Sequence, residues 1–197
     1  MPEREEAERI TDGRRRKGER RRRELLEAVL RVIVRDGVAA VTQRAVAKEA
    51  GVPPSAVLYY FATVDELLVA ALARVNDDYI ERVRALPEEP GAALRGLAEL
   101  IAEAADKERA AALAEYELYL MAARRPALRA ELHRWNGCLD VLALRCAGPD
   151  PAGRAAFTAA VDGLMMRTFV EEGPTDPERV HAALRRLAPG GAGGPAR

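Results

Sequence analysis

The sequence predicts an all-α protein, and its composition and periodicity lead to this prediction. Ala and Leu dominate, aromatic residues make up only 5% of the 197 residues, and no run alternates Val, Ile and Thr as a half-buried strand would. Apolar residues instead recur at helical spacing between Gly and Pro stops. Because 49% of the residues are hydrophobic, the chain can bury a sizeable core.

Net charge is zero, but it is distributed unevenly along the chain. Residues 14–62 carry 12 basic and 5 acidic side chains, a net +7, whereas the residues after 62 sum to −4. A basic first third suits a nucleic-acid-binding unit attached to a body that stays away from phosphates. No apolar stretch is long enough to span a bilayer, and the N-terminus has no signal-peptide pattern. We therefore expect a cytoplasmic protein that does not contact a membrane.

The N-terminal third is predicted to begin with a charged arm followed by one helix. Glu and Arg alternate over residues 1–13, and we expect residues 1–19 to form a disordered, charged arm. From about Arg20 to Asp36 apolar residues recur at helical spacing, and Gly37 supplies a stop. The first helix is therefore predicted over 20–36.

Two short helices that meet at a glycine are predicted next. Thr42 is placed to cap a helix over 43–50, Gly51 ends this helix, and two prolines open a third helix over 53–60. Small and apolar residues stand where the two helices of a helix-turn-helix must cross closely. They are Val46, Ala47, Ala50, Val52 and Val57, with Arg44 and Lys48 on the outward face. A helix-turn-helix domain is predicted over 20–62, and a purely structural helix pair is the alternative.

This region resembles the TetR family of transcriptional regulators over about residues 20–70. The motifs that carry the resemblance are Thr42-Gln43-Arg44-Ala45-Val46-Ala47-Lys48-Glu49-Ala50-Gly51-Val52, Leu58-Tyr59-Tyr60-Phe61 and Asp65-Glu66-Leu67-Leu68. The resemblance implies a homodimer that binds a palindromic operator in double-stranded DNA, with residues 53–60 in the major groove. It implies DNA contacts from Thr42, Gln43, Arg44, Pro53, Pro54, Ser55, Ala56, Tyr59 and Tyr60.

One departure from the family pattern lies just after the aromatic cluster. Many members carry a lysine there that contacts a phosphate, whereas this chain has Val64. The basic run over 14–23 is predicted to compensate with phosphate or minor-groove contacts.

A longer helical ligand-binding and dimerisation domain is predicted over 63–188. Thr63 and Glu66 form a capping-box pattern at the start of a fourth helix, which Pro87 stops. Pro, Gly and Asp-Pro punctuation delimits five further helices over about 92–105, 107–124, 127–147, 151–172 and 177–188, which makes about nine in total. The resemblance implies that the fourth helix carries the ligand signal to the helix-turn-helix domain over 20–62, which is called the head. The Gly- and Pro-rich tail over 189–197 is expected to be disordered.

Bulky and adaptable residues of the central body helices are candidates for lining a ligand pocket. They are Tyr116, Tyr119, Leu120, Trp135, Leu139, Met165, Met166 and Phe169, with Glu115, His133, Asn136 and Asp162 as nearby polar groups. Together they suit an unknown small-molecule effector that is largely apolar with one or two polar groups. Ordinary core packing is the alternative, because pockets and cores are built from the same side chains.

Small and apolar residues of the last two helices are candidates for the dimer interface, because small side chains permit close helix approach. They are Ala156, Ala160, Leu164, Val180, Ala183, Leu184 and Leu187. The resemblance implies a four-helix bundle between two protomers. Packing within one chain is the alternative.

Catalytic and metal-binding patterns are missing from the sequence. There is no Gly-rich phosphate loop, HExxH motif or nucleophile elbow, and His133 and His181 are the only histidines. Cys138 and Cys146 would lie about 12 Å apart on one helix, too far for a disulfide. We therefore expect no enzyme, cofactor or metal. The leading hypothesis is a repressor released by its ligand, and a ligand-independent helix-turn-helix DNA-binding protein is the alternative.

Overall fold

The computed structural model describes residues 2–188, with side chains over 15–188, and this part of the chain forms nine α-helices and no strand. The all-α prediction and the predicted number of helices are confirmed. Residues up to Arg74 form one compact unit, and residues from Val75 form a second. The division falls within the fourth helix and not at its start, where the sequence predicted it. The tail over 189–197 lies outside the described residues.

Helix α1 is much longer than predicted, because it extends over Pro2–Asp36. The arm over 2–19 is therefore helical in backbone conformation, and the prediction of disorder there is wrong. Oppositely charged residues four positions apart explain this result, since they stabilise a helix. Arg15 pairs with Glu19 at 3.1 Å and Arg20 pairs with Glu24 at 3.5 Å.

The first unit continues with a 3-10 turn at Val38–Ala40, α2 at Gln43–Ala50, α3 at Pro54–Tyr60 and the first part of α4 at Val64–Arg84. The apolar stripe of α1 is buried, α1 packs on α2 and α2 packs on α3. The buried apolar residues of this unit include Leu25, Val29, Ile33, Val46, Val57, Phe61, Leu67 and Leu68. The helical spacing of the sequence therefore identified most of these buried positions, although Ala50 and Val52 are only partly buried.

Ion pairs brace α1 against α2 at the surface of this unit. Arg31 and Arg35 donate to the two carboxylate oxygens of Glu49 at 2.8 and 2.7 Å. Hydrogen bonds from Arg35 and then Arg31 lower the pKa of Glu49 below its ordinary value.

The start of α4 is capped much as its sequence predicts. The Thr63 hydroxyl accepts from the Glu66 amide at 3.1 Å, and the Glu66 carboxylate accepts from the Ala62 amide at 2.9 Å. A reciprocal capping box would place the second bond on the Thr63 amide, so the observed cap is shifted by one residue.

The second unit takes the rest of α4 and five further helices. They are α5 at Pro90–Asp106, α6 at Arg109–Met121, α7 at Arg129–Ala147, α8 at Pro151–Thr168 and α9 at Pro177–Arg185, with a 3-10 turn at Pro126–Leu128 before α7. The aspartates of both Asp-Pro pairs act as N-caps: Asp150 accepts from the Gly153 amide and Asp176 from the Glu178 amide.

The core of the second unit surrounds α5, and α9 packs on that helix. Leu94 and Leu97 of α5 are buried with Leu142 of α7, Phe157 of α8 and Leu184 of α9. Arg95 of α5 and Glu178 of α9 pair at 2.7 Å at the edge of this contact. The amphipathic face of α9 is therefore used within the chain.

No single helix among the residues that the structure describes is long and apolar enough to cross a membrane, although α3 and α4, bent by 68° at their break, together meet this length and composition test.

Candidate nucleic-acid interface and ligand cavity

The helix-turn-helix is held by one cap, one glycine and two buried valines. The Thr42 hydroxyl accepts from the Ala45 amide at 3.0 Å and so begins α2. Gly51 ends α2 with φ of 66°, a left-handed conformation that favours glycine. Val46 of α2 and Val57 of α3 are fully buried. The residue sizes noted in the sequence therefore serve the close crossing of α2 and α3.

Gln43 has an internal role that its sequence position did not indicate. Its side-chain amide donates to the carbonyl oxygens of Phe61 and Ala62, both at 3.0 Å. These carbonyls lie at the C-terminal end of α3, where helix carbonyls lack partners. Gln43 was predicted to contact DNA, but its amide donor is engaged within the head. It therefore positions α3, and the prediction of its contact with DNA is untested.

The remaining predicted DNA-contacting residues form an accessible surface. Thr42, Arg44, Pro53, Pro54, Ser55 and Tyr59 are exposed, and Ala56 and Tyr60 are partly buried. The Tyr59 side chain is the most prominent of them, with 82% of the residue exposed. Its ring meets the Tyr60 ring edge-to-face, with centroids 5.0 Å apart. Tyr60 is only partly covered.

The basic part of α1 lies beside these tyrosines. One cleft is lined by Arg15, Lys17, Gly18, Arg20, Arg21 and Glu24 of α1 together with Tyr59 and Tyr60. The Tyr60 hydroxyl would lie 4.0 Å from a Cβ atom at Gly18, and the Arg22 guanidinium sits 5.0 Å from the centroid of the Phe61 ring. Sequence reasoning identified the positive charge of this segment but not its helical form, which brings the charge next to α3.

The second unit contains a cavity of about 50 Å³ between α4, α5, α6, α7 and α8. Its lining residues are Tyr79, Val83, Leu97, Leu100, Ile101, Ala112, Glu115, Tyr116, Tyr119, Trp135, Val161, Asp162 and Met165. Four of the eight residues predicted for the pocket are among them, namely Tyr116, Tyr119, Trp135 and Met165. The polar candidates Glu115 and Asp162 also line it.

The other four predicted pocket residues do not line this cavity. Leu120 and Met166 are 63% and 50% exposed, Leu139 is fully buried in the core, and Phe169 only packs edge-to-face on Tyr116 with ring centroids 5.4 Å apart. Successive residues of a helix point about 100° apart, so Leu120 and Met166, one position beyond Tyr119 and Met165, turn outward.

Two of the polar candidates also lie outside the lining. His133 is exposed and Asn136 is partly buried. Sequence reasoning missed the α4 and α5 residues of the lining, Tyr79, Val83, Leu97, Leu100 and Ile101. Their helical spacing was visible, but it did not distinguish a cavity wall from a core.

Two carboxyl groups dominate the electrostatics of this cavity. Burial and then the nearby Asp162 raise the pKa of Glu115 to about 8. Burial also raises the pKa of Asp162, whose Oδ1 accepts a long hydrogen bond of 3.5 Å from the Tyr116 hydroxyl. Burial is likewise the first cause of the raised pKa values of Tyr79 and Tyr116. Burial in this cavity thus favours the protonated, neutral forms of these groups.

The predicted dimerisation residues divide between core and surface. Val180 and Leu184 of α9 are buried in the core of their own chain, so the prediction that they face a partner is wrong. Leu164 and Leu187 also pack against that core. Ala156 is exposed, while Ala160 and Ala183 are partly buried. The physical reason is that the apolar face of α9 is already covered by α5.

Exposed apolar or small residues occur on both α7 and α8, two helices that pack against each other. On α7, Gly137, Val141 and Leu144 follow helical spacing and are exposed, Val141 at 71%. On α8, Ala156 and Ala159 are exposed. These exposed residues of α7 and α8 are called the α7–α8 face, and its α7 part was missed because no sequence pattern favours the outer side of α7.

Cys138 and Cys146 are both free thiols on α7, as the spacing predicted. Over residues 15–188, no three His, Cys, Asp or Glu side chains come together in a group that could hold a metal ion.

The helix-turn-helix and the cavity-bearing helical body define a class of DNA-binding regulator, and comparison with known proteins identifies its family. Residues 25–71 match the family described as "Bacterial regulatory proteins, tetR family", and residues 88–190 match "Tetracyclin repressor-like, C-terminal domain". The chain belongs to the TetR family of DNA-binding transcriptional regulators, which are not enzymes.

Three relatives illustrate the extent of this likeness. The HTH-type transcriptional regulator BetI of Rhizobium meliloti (strain 1021) is 33% identical over 177 residues, which cover 80% of this chain and 82% of BetI. The HTH-type transcriptional regulator PksA of Bacillus subtilis (strain 168) is 39% identical over 66 residues. This match covers 34% of this chain and 32% of PksA. The multidrug binding protein EbrR, in its structure with ethidium, is 37% identical in sequence to this chain. The two structures match with a TM-score of 0.73 over 86% of this chain and 99% of the EbrR chain.

Proposed function

We propose that this regulator is a repressor that binds a palindromic operator as a homodimer and is released by a small, largely apolar ligand. The observation that carries the proposal is the pairing of an accessible helix-turn-helix with a cavity in a separate helical unit. A repressor of this kind needs both a surface for DNA and an enclosed site for an effector.

The DNA-binding surface in this proposal is α3 with the residues beside it. The exposed Arg44 carries a guanidinium that can meet a phosphate or a guanine edge, and the exposed Tyr59 hydroxyl can donate to a phosphate. Lys17 and Arg20, which share the cleft with Tyr59, supply further positive charge. The basic segment of α1 thus adds phosphate contacts.

The partner in the dimer is a second copy of this chain seated on the α7–α8 face. Small residues on α8 allow helices to approach closely, and Val141 and Leu144 supply apolar area. A symmetric dimer would pair this face with itself and present two heads to two half-sites.

Light scattering after gel filtration tests the interface with two matched variants. Val141→Asp should shift the mass from dimer toward monomer, because it places a charge within an apolar contact. Leu120→Asp makes a similar change on an exposed residue of α6 outside the face and should leave the mass unchanged. A monomeric wild-type protein at micromolar concentration would refute the dimer.

The effector site in this proposal is the cavity, and the relative EbrR supports such a use. EbrR is named as a multidrug binding protein, and its structures hold ethidium, malachite green and proflavin. In this chain α4 contributes Tyr79 and Val83 to the cavity and its other end is capped by Thr63 in the head. A change in α4 on ligand binding is therefore the proposed route of release.

Selection of bound sequences from a random duplex pool tests the DNA-binding proposal. The wild-type protein should enrich a palindrome, and Arg44→Ala and Tyr59→Ala should lose most of that enrichment. The control Arg186→Ala, at the residue that follows α9 in the second unit, removes one positive charge as Arg44→Ala does and should behave as wild type. No enrichment at moderate salt would contradict a specific repressor and favour non-specific DNA binding.

A further inference from the structure

The cavity wall combines aromatic rings with carboxyl groups. Tyr79, Tyr116, Tyr119 and Trp135 contribute four aromatic rings, and Glu115 and Asp162 contribute two carboxyl groups. Its lining residues, all within the described part of the chain, include no Lys, Arg or His. Aromatic faces and carboxylates both attract positive charge.

The Glu115 carboxyl group has no partner of its own. Within the side chains described over 15–188 it makes no hydrogen bond or ion pair, and it lines the cavity while the residue as a whole is only partly buried. Enclosure of an unpaired carboxylate is unfavourable unless a counter-charge is supplied or a proton is taken up. An apolar cavity would be more stable with a leucine here, so this carboxyl group indicates a ligand.

Among the side chains described over 15–188, no cation supplies the counter-charge for Glu115. Arg82, close to the Tyr79 ring at 5.6 Å, donates instead to Glu103 at 2.6 Å and Glu108 at 3.1 Å. The groups that line the cavity from each helix are the Tyr79 phenol from α4, the phenols of Tyr116 and Tyr119 from α6, the Trp135 indole from α7 and the Asp162 carboxyl from α8. Helix α5 contributes only Leu97, Leu100 and Ile101.

We propose that the effector is an organic cation with an apolar body, that its charge lies beside Glu115 and Asp162 among these rings, and that Glu115 releases a proton when the cation binds. The inference rests on the cavity being the effector site. The proton leaves the Glu115 carboxyl group for solvent, and the ligand cation takes its place as the compensating charge. An anionic ligand would be repelled, and a neutral ligand would leave the carboxyl group unpaired.

The cavity must widen to admit such a ligand. A volume of about 50 Å³ holds only a few waters, well below that of typical ligand pockets. Met165 is unbranched and adaptable, so its rearrangement is the simplest way to enlarge the space.

Binding of benzyltrimethylammonium to the full chain without DNA tests the proposal. This probe keeps its charge at every pH, and its neutral carbon isostere, neopentylbenzene, is the matched control. Trp135 is the only tryptophan of the chain and lines the cavity, so its fluorescence reports occupancy of this site. Calorimetry in two buffers of different ionisation enthalpy counts the protons released.

The cation should bind up to about tenfold more tightly for each pH unit gained below pH 8 and then level off, since burial raises the pKa of Glu115 to about 8. Neopentylbenzene should show no such dependence. Glu115→Gln should weaken cation binding at least about tenfold at pH 8 and abolish proton release. Binding of neopentylbenzene to this variant should be unchanged. Glu117→Gln, on the same helix but outside the lining, should change neither property.

Absence of cation binding, or cation binding without proton release, would overturn the proposal. Equal binding of the cation by wild type and Glu115→Gln would do the same. If Glu115→Gln fails to fold, the wild-type pH dependence and Asp162→Asn, which should also weaken cation binding, decide the matter. None of these measurements involves DNA, so their failure is distinguishable from failure of the operator selection.

Discussion

The basic segment of α1 should set much of the salt dependence of DNA binding. Lys17 and Arg20 both line the cleft that contains Tyr59 and Tyr60. Lys17 is exposed and makes no ion pair within residues 15–188, and Arg20 has only a long pair of 3.5 Å with Glu24. Both side chains can therefore reach phosphates of a DNA backbone that contacts the tyrosines.

The double variant Lys17→Gln with Arg20→Gln gives a magnitude that can be worked out in advance. Each phosphate contact contributes about 0.9 to the slope of log K against log salt. Loss of Lys17 alone from both protomers would lower the slope by about 2, and loss of both residues by up to about 4. Affinity should fall most at low salt, because the lost contacts act by counterion release.

Fluorescence anisotropy with the selected operator duplex, from about 50 to about 300 mM salt, measures this slope. The control is Arg16→Gln with Arg23→Gln, which removes the same charge from the same helix at positions outside the cleft lining. Equal slopes for wild type and the Lys17 and Arg20 variant would refute the role of this segment. Equal effects of the two double variants would show a dependence on net charge alone.

Three further predictions concern stability. Gln43→Ala should cost about 1–3 kcal/mol in urea unfolding, because two carbonyls at the end of α3 lose their donor, and an unchanged midpoint would contradict its positioning role. Because burial raises the pKa of Glu115 from 4.5 to about 8, the folded chain holds a proton that the unfolded chain has released, so stability should fall as the pH rises through this window. Glu115→Gln should remove about 1–3 kcal/mol of that fall, and an identical pH profile of the melting temperature would exclude this explanation. Leu184→Ala should cost about 2–5 kcal/mol by opening a core cavity, whereas Leu120→Ala, at an exposed position, should stay within about 0.5 kcal/mol; similar losses would contradict the inward packing of α9.

Local signals determined the number of helices and the helix-turn-helix. Thr42, Gly51 and the two Asp-Pro pairs act through the backbone of their own few residues, so their effects are readable without knowledge of the fold. The family motif lies in this same local region, and its identification was confirmed.

Only the tertiary structure decided which faces of the helices meet. Tyr119 lines the cavity and Leu120 does not, although both are apolar and adjacent, because helical periodicity does not specify the rotation of one helix against its neighbours. The same reason applies to α9, whose apolar face could cover a partner or its own chain and in fact packs on α5. Gln43 and the cleft beside Tyr59 likewise depend on residues distant in sequence, which pattern alone does not bring together.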